Sequence, residues 1–405
     1  MSSRSAGVSL AFSQVGHGFS HLLTLLFPTI VLALEREWGL SYDHLLPLAL
    51  AASILFGLGA LPAGWLGDRW SAAGMMVIFF LGTGVSTVLT GFARTPLELA
   101  LGMAATGLFA SIYHPVGIAW LVRNARNRGK ALGLNGVVGS IGVAAAPLVA
   151  GVLTDTISWR AAFIIPGVAC TVTGLAMLAL MRRGSMMDTA SDLKPDPKAS
   201  RDDVIRAFIV LSLTMIASGL LYQCLSLAMP KVFAERAGEL LGTGAAGVGL
   251  AVSMIYLVSG ACTYVGGYLA DRYPNKVIYL VTFLLQVPVC MLAAVAAGLP
   301  VIAVAATLAI LQTLNLPSES MLLARYTPER WRATAFGAKF VLSIGVSAAS
   351  VPLIAWIYGA TGGFVWLYYA MAAMAGIAAL ACLSLPGGRD AVTARAPEKA
   401  VAAAD

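Results

Sequence analysis

The stretch Gly64-Trp65-Leu66-Gly67-Asp68-Arg69 returns 203 residues later as Gly267-Tyr268-Leu269-Ala270-Asp271-Arg272. Each copy closes a long apolar run with a charged pair, and the register holds on either side of it. Pro28 answers to Pro230, Pro115 to Pro317 and Arg123 to Arg325, all at an offset of 202, while Gly133 answers to Gly337 at 204. A single match of this kind means little. A series in register across four apolar runs indicates two related halves with the same orientation.

The solvent of both halves is lipid. Only 11% of the 405 residues are charged and 59% are hydrophobic, against about 25% charged in a soluble chain, and the mean hydropathy is +0.84. A single water-surrounded core stops growing near about 250–300 residues, so this much apolar side chain has nowhere else to go. Runs of spanning length fall at 8–34, 45–67, 72–92, 97–121, 130–154 and 158–181, then at 204–233, 241–270, 276–296, 299–324, 332–358 and 362–385. They do not alternate as barrel strands would. Helices are expected, because every backbone polar group in hydrocarbon must be satisfied within its own segment. The first run is much longer than the ~7–15-residue core of a signal peptide and reads as a span. An all-α membrane protein of twelve transmembrane helices follows, in two six-helix repeats around a central cavity. The halves are 1–181 and 204–385. Residues 182–203 form a polar linker, and 386–405 an expected disordered tail. The five cysteines all lie in apolar runs without metal-type spacing and read as buried thiols.

Charge fixes the expected orientation. With the N-terminus inside, 21 of the 26 Lys and Arg fall on the cytoplasmic side, leaving only Arg36, Arg94, Arg160, Lys231 and Arg236 opposite. Both termini and the linker are therefore expected in the cytoplasm. The net charge of +7 is a topology signal and not a nucleic-acid footprint.

The doubled G-x-L-x-D-R element resembles the hallmark cytoplasmic loop of the major facilitator superfamily. That resemblance implies a conformational latch of Gly64, Asp68 and Arg69, with Gly267, Asp271 and Arg272 in the second copy. In the family this Asp faces the start of helix eleven, a favourable place for an anion. The family pattern continues to a glycine and two basic residues, but Ser71, Ala72 and Ala73 stand here, which weakens the expected first latch. In helix five, Gly142-Val143-Ala144-Ala145-Ala146-Pro147-Leu148-Val149-Ala150-Gly151 is similar to the superfamily's antiporter motif, with Gly142, Pro147 and Gly151 as a packing motif; close helix packing alone explains it equally well. Drug–proton antiporters carry an arginine where Met103 stands. His-Pro at 114–115, with His17 and His21 in the first helix, resembles the fosmidomycin-resistance type of exporter instead.

Polar residues inside the runs lie on shared faces, since positions three and four apart stack on a helix. His17, His21 and Thr24 form one stripe; Gly219, Gln223 and Ser226 form its counterpart in helix seven; Gln312, Asn315 and Glu319 form a third in helix ten. In the superfamily helices one, four, seven and ten line the path. The expected substrate contacts are His21, His114, Tyr113, Gln223, Asn315 and Lys339. Glu319, His21 and His114 are the expected proton-coupling groups. The histidines fit neutral imidazoles wedged between helices as well, and a Glu319–Lys339 pair fits a purely structural role. Three groups able to carry positive charge face one acid, which favours an anionic cargo. The function expected is a proton-coupled exporter of a small anionic organic compound, with an importer as the alternative and a non-transporting sensor more remote. His17-x-x-x-His21 has metal-ligand spacing, but Gly18 and Phe19 replace the glutamate a zinc hydrolase needs. No enzyme activity, cofactor or metal is expected. The expected partners are a small-molecule substrate, protons and the bilayer of a bacterial inner membrane, with no nucleic acid and a monomeric state.

The topology has a direct check. Single cysteines at Ser191 and Thr361, labelled from each side of sealed membranes, are expected to react from opposite faces. Labelling of both from the cytoplasmic side would break the twelve-span count.

Overall fold

The structure is a computed structural model and describes residues 3–125, 128–184, 201–327, 339 and 341–385. The interior of the linker, the tail from 386 and the expected start of helix eleven lie outside these. Twelve helices of spanning length and composition are present among the described residues: α1 Ser5–Trp38, α2 Tyr42–Arg69, α3 Ala72–Thr90, α4 Pro96–Asn124, α5 Ala131–Thr156, α6 Trp159–Arg182, α7 Ile205–Arg236, α8 Ala245–Arg272, α9 Asn275–Val295, α10 Leu299–Leu323, α11 Val341–Thr361 and α12 Val365–Leu383. Several overrun their apolar runs. The α7 helix continues back to Arg201, 36 residues in all, or about 54 Å against a hydrocarbon core of about 30 Å. Backbone hydrogen bonding simply continues into the headgroup layer.

Caps and prolines punctuate the spans. Ser71 is the N-cap of α3, its Oγ accepting from the Gly74 N–H at 2.9 Å, so the residue that departs from the family loop has a structural task. Thr95 and Glu98 cap α4 reciprocally, on the Glu98 and Arg94 amides. Regular helix in α1 stops at Thr24 and resumes at Phe27, just before Pro28. In α4, Pro115 sits inside a π turn, Tyr113–Gly117. A second π turn, Val341–Gly345, opens α11. Proline removes an amide donor, and turns of this kind absorb the loss while re-aiming side chains.

The halves meet along two seams where backbones nearly touch. A methyl group on Gly249 of α8 would lie 2.2 Å from the Pro147 carbonyl of α5, and one on Gly151 2.4 Å from that of Ala245. Within the first half, a methyl on Gly142 would lie 2.3 Å from the Gly18 carbonyl of α1. The helix-five motif is thus a packing surface on both its flanks. The second seam joins α2 to α11, where a methyl on Gly57 would lie 2.2 Å from the Gly345 Cα.

Polar contacts between the halves gather at the end away from the linker. Lys231 of α7 donates to both oxygens of Glu35 of α1 at 2.8 Å, and the Tyr42 hydroxyl donates to the Leu227 carbonyl at 3.0 Å. Asp155, ending α5, accepts from the Ala245 and Ala246 amides at 3.1 and 2.7 Å, capping α8 with an anion where its dipole is positive. Towards the linker end, methyl groups on Gly133 and Gly136 of α5 or Gly267 of α8 would meet nothing within 4 Å.

A substitution separates these two environments. Gly57→Ala forces the α2–α11 backbones apart and is expected to cost about 1–3 kcal/mol, read as a lower thermal unfolding midpoint of detergent-purified protein. Gly133→Ala, a helix position with free space, is expected to leave the midpoint unchanged or raise it. A Gly57→Ala midpoint at or above wild type would show that the contact is not limiting.

Candidate functional site

A cavity of about 140 Å³ lies between the halves, walled by α1, α2 and α4 on one side and α7 and α11 on the other. His21 and Thr24 contribute from the broken stretch of α1, Tyr222 and Gln223 from α7, and Ser343 and Ser347 from α11. The stripes of α1 and α7 therefore face each other, as their helical spacing requires.

Behind His21 the first half holds a cluster of imidazoles. His21 Nε2 lies 3.2 Å from His17 Nε2, and the His114 ring centroid lies 5.4 and 5.5 Å from those of His21 and His17. The π turn of α4 delivers His114. His17 Nδ1 lies 2.7 Å from the Asn135 carbonyl of α5. Tyr113 stacks on His17 with centroids 5.0 Å apart and 17° between planes, and its hydroxyl accepts from the Asn135 amide at 2.8 Å. Asn135 thus fixes both rings. Local sequence patterns contained no signal for it, since it follows the repeat glycine Gly133 without any periodic partner.

The second half holds a buried ion pair. Glu319 of α10 is 1% exposed. Its Oε1 lies 2.9 Å from Lys339 Nζ, and its Oε2 accepts from the Tyr279 hydroxyl of α9 at 2.7 Å. Lys339 also donates to Ser320 Oγ at 3.0 Å, while its carbonyl accepts from Ser343 Oγ at 2.7 Å. The pair is therefore one turn from the cavity wall at Ser343. Tyr279 carried no sequence signal, because α9 lies outside the path-lining set.

Four expected contacts, Tyr113, His114, Asn315 and Lys339, do not line the cavity, His114 being buried in the imidazole cluster behind His21. Tyr113 and Asn315 are fully buried. Tyr113 packs against His17 instead. Asn315 is buried within its own half, and Lys339 is drawn to Glu319 and away from the cavity surface. His21 and Gln223 do line it. In the latch, Asp68 accepts from Arg123 Nη2 at 2.5 Å, so its partner among the described residues belongs to α4 of the same half, while the start of helix eleven lies outside those residues. The reason is local. Methyl groups on Gly64 and Gly67 would lie 3.3 Å from Pro115 and 2.8 Å from Val116, so these glycines seat α2 on the π turn and bring Asp68 to the end of α4. Arg69 and Arg272 lie over Trp65 and Tyr268, at 5.0 and 4.4 Å. In the second copy Gly266, not Gly267, makes the close approach: a methyl group on it would lie 2.7 Å from the Leu314 carbonyl.

The buried pair predicts a marked non-additivity. Lys339→Met strands a carboxylate and is expected to cost about 3–5 kcal/mol of stability. The double variant Glu319→Gln/Lys339→Met leaves Tyr279 a neutral acceptor and should recover most of that loss. Thermal unfolding of the single and double variants tests this; equal losses in both would deny the pairing its energetic role.

These features can be set beside known proteins. A family model described as the Major Facilitator Superfamily matches residues 10–238 and 207–404. The puromycin resistance protein pur8 of Streptomyces alboniger is 32% identical over 148 residues, 35% of this chain and 29% of that protein. A probable 4-methylmuconolactone transporter of Cupriavidus pinatubonensis is 29% identical over 185 residues, 44% of this chain and 43% of that protein. A probable sulfoacetate transporter, SauU, of Cupriavidus necator is 29% identical over 139 residues, covering 33% and 32%. The chain spans less than half the length of these relatives, and none of the three is named for fosmidomycin resistance. Over 95% of both chains, the fold superposes with a TM-score of 0.70 on a bacterial homologue of the human lysosomal transporter Spinster, crystallised inward-facing and unoccupied. At 14% identity that likeness shows the fold alone. The family match runs through both six-helix halves, and the chain, a multi-pass membrane protein, belongs to the Major Facilitator Superfamily.

Proposed function

We propose that this protein is a proton-coupled exporter of a small anionic organic compound. It works as a monomer in a bacterial inner membrane, with the linker and both termini in the cytoplasm, an orientation supported by the asymmetry of Lys and Arg. The observation that carries the reading is the Glu319–Lys339 pair, 2.9 Å apart, one helical turn from Ser343 in the cavity wall. A proton on Glu319 cancels one half of a buried ion pair. Lys339 then loses its counter-charge and, with the Ser343–Ser347 wall of α11 just after it, is released to seek another anion. An anionic cargo, met also by His21 on the facing wall, supplies one. The Glu319 carboxylate and the cargo thus compete for the same cation, which links protonation of Glu319 to cargo binding. The polar closure at Glu35–Lys231 shuts the end away from the linker, supporting access from the cytoplasm. Export draws further support from a relative named for puromycin resistance. An anionic cargo draws support from one named for sulfoacetate, a small organic anion.

Reconstituted vesicles test the reading. For folded protein, Glu319→Gln is expected to abolish flux driven by a pH difference while keeping counterflow, which needs no net proton movement. His21→Ala is expected to weaken substrate binding in both assays. Concentration of substrate by Glu319→Gln under a pH gradient would move the coupling role elsewhere. Accumulation by wild type in the opposite direction, with the proton gradient, would make the protein an importer.

A further inference from the structure

The imidazole cluster contains more geometry than helix packing or anion contact needs. The ligand nitrogens of His17, His21 and His114 all lie within 4.8 Å of one another, and the two Nε2 atoms in α1 are 3.2 Å apart. A tetrahedral zinc ion with nitrogens at about 2.0–2.1 Å holds any two of them roughly 3.3–3.4 Å apart. The i, i+4 pair therefore already has the spacing of two ligands on one ion.

His17 is also set in the form a ligand requires. A carbonyl oxygen only accepts, so the 2.7 Å contact with Asn135 puts the ring hydrogen on Nδ1 and leaves the lone pair on Nε2. An N–H given to a backbone carbonyl is the usual outer support of a metal-bound histidine. Room for the ring is built into α5, where a methyl group on Gly139 would lie 2.4 Å from His17 Cε1. Tyr113 covers one ring face. The π turn brings His114 in as the third group, edge-on to His17 at 89°.

We propose that His17, His21 and His114 form a binding site for a divalent transition-metal ion of the zinc or cobalt class, with its fourth coordination position turned to the central cavity. Three imidazoles with no carboxylate in the cluster suit zinc, cobalt, nickel or copper, and not magnesium or calcium. On metal binding the His21 hydrogen moves from Nε2 to Nδ1, so all three ligands stay neutral and the ion keeps its full charge. A dication in a low-dielectric wall needs a compensating anion. His21 forms part of the cavity wall, so the cavity is where that anion enters. The metal site stands independently of the direction and coupling of transport.

Cobalt(II) titration of tag-free, detergent-purified protein tests it. The expected result is one equivalent bound with the visible absorption of four-coordinate cobalt, displaced one for one by zinc. His17→Gln, His21→Gln and His114→Gln are each expected to weaken binding at least tenfold. Gly139→Ala, which crowds the His17 ring without removing a ligand, should weaken it as well. His44→Gln, an exposed histidine hydrogen-bonded to Ser41, should change nothing. Azide is expected to shift the bands by taking the fourth position. A six-coordinate spectrum, less than one equivalent, or undiminished binding in His17→Gln or His114→Gln would overturn the site, and bands unmoved by azide would overturn its open position. Should the glutamine variants fail to fold, X-ray absorption of zinc-loaded wild type decides: three imidazoles at about 2.0–2.1 Å support the site and fewer refute it.

Discussion

Two apolar helix faces gain little by leaving lipid for each other, because hydrocarbon surrounds them either way. Association in this protein therefore rests on how closely backbones can approach, and glycine sets that distance. The α5–α8 seam, with Gly249 on the Pro147 carbonyl and Gly151 on the Ala245 carbonyl, and the α2–α11 seam at Gly57 and Gly345, are what join the halves through the membrane. Seams of this kind lack long interlocked side chains. Two such surfaces can therefore rock against one another without unpicking a core. What holds them in the described arrangement is polar and peripheral: Lys231 between Glu35 and Glu235, and the Asp155 cap on α8. Stability is thus assigned to the seams and conformational choice to a few exchangeable charges at one rim.

The broad architecture was legible for the same reason that the seams matter. Backbone groups in lipid must be satisfied locally, so each span had to be one long apolar run, and the repeated Asp–Arg ends and prolines marked the register between halves. Pro28 and Pro115 did mark departures from regular helix. Helical spacing also predicted that His17 and His21 share a face and that Glu319 and Lys339 could meet. What the local pattern lacks is each helix's rotation about its axis and its distance from neighbours. Tyr113 was named among the expected substrate contacts, yet it is fully buried and stacked on His17. Asn135 and Tyr279 hold the two buried clusters through contacts with other helices, so no spacing within α5 or α9 announces them. The second latch shows the same limit, since Gly266 and Gly267 are interchangeable in sequence but only one touches α10.

The repeat also explains where the buried chemistry sits. The 204-residue offset that relates Gly133 to Gly337 also relates Asn135 to Lys339, and the 202-residue offset of Pro115 and Pro317 relates Tyr113 to Asn315, one turn before Glu319. In the first half the helix-five position reaches across to helix four as Asn135 to Tyr113, 2.8 Å. In the second half the equivalent position reaches to helix ten as Lys339 to Glu319, 2.9 Å. Neighbouring positions on corresponding helix pairs thus carry a neutral hydrogen bond in one half and an ion pair in the other. The neutral version makes a rigid seat for His17, since a hydrogen bond between uncharged groups has little reason to break as conditions change. The charged version is conditional, because one proton removes its Coulomb term and leaves a cation without its partner. A symmetric pair of ion pairs would loosen both halves together. Placing the charged contact on one side only makes the two halves unlike, a neutral hydrogen bond behind one wall of the cavity and an ion pair behind the other.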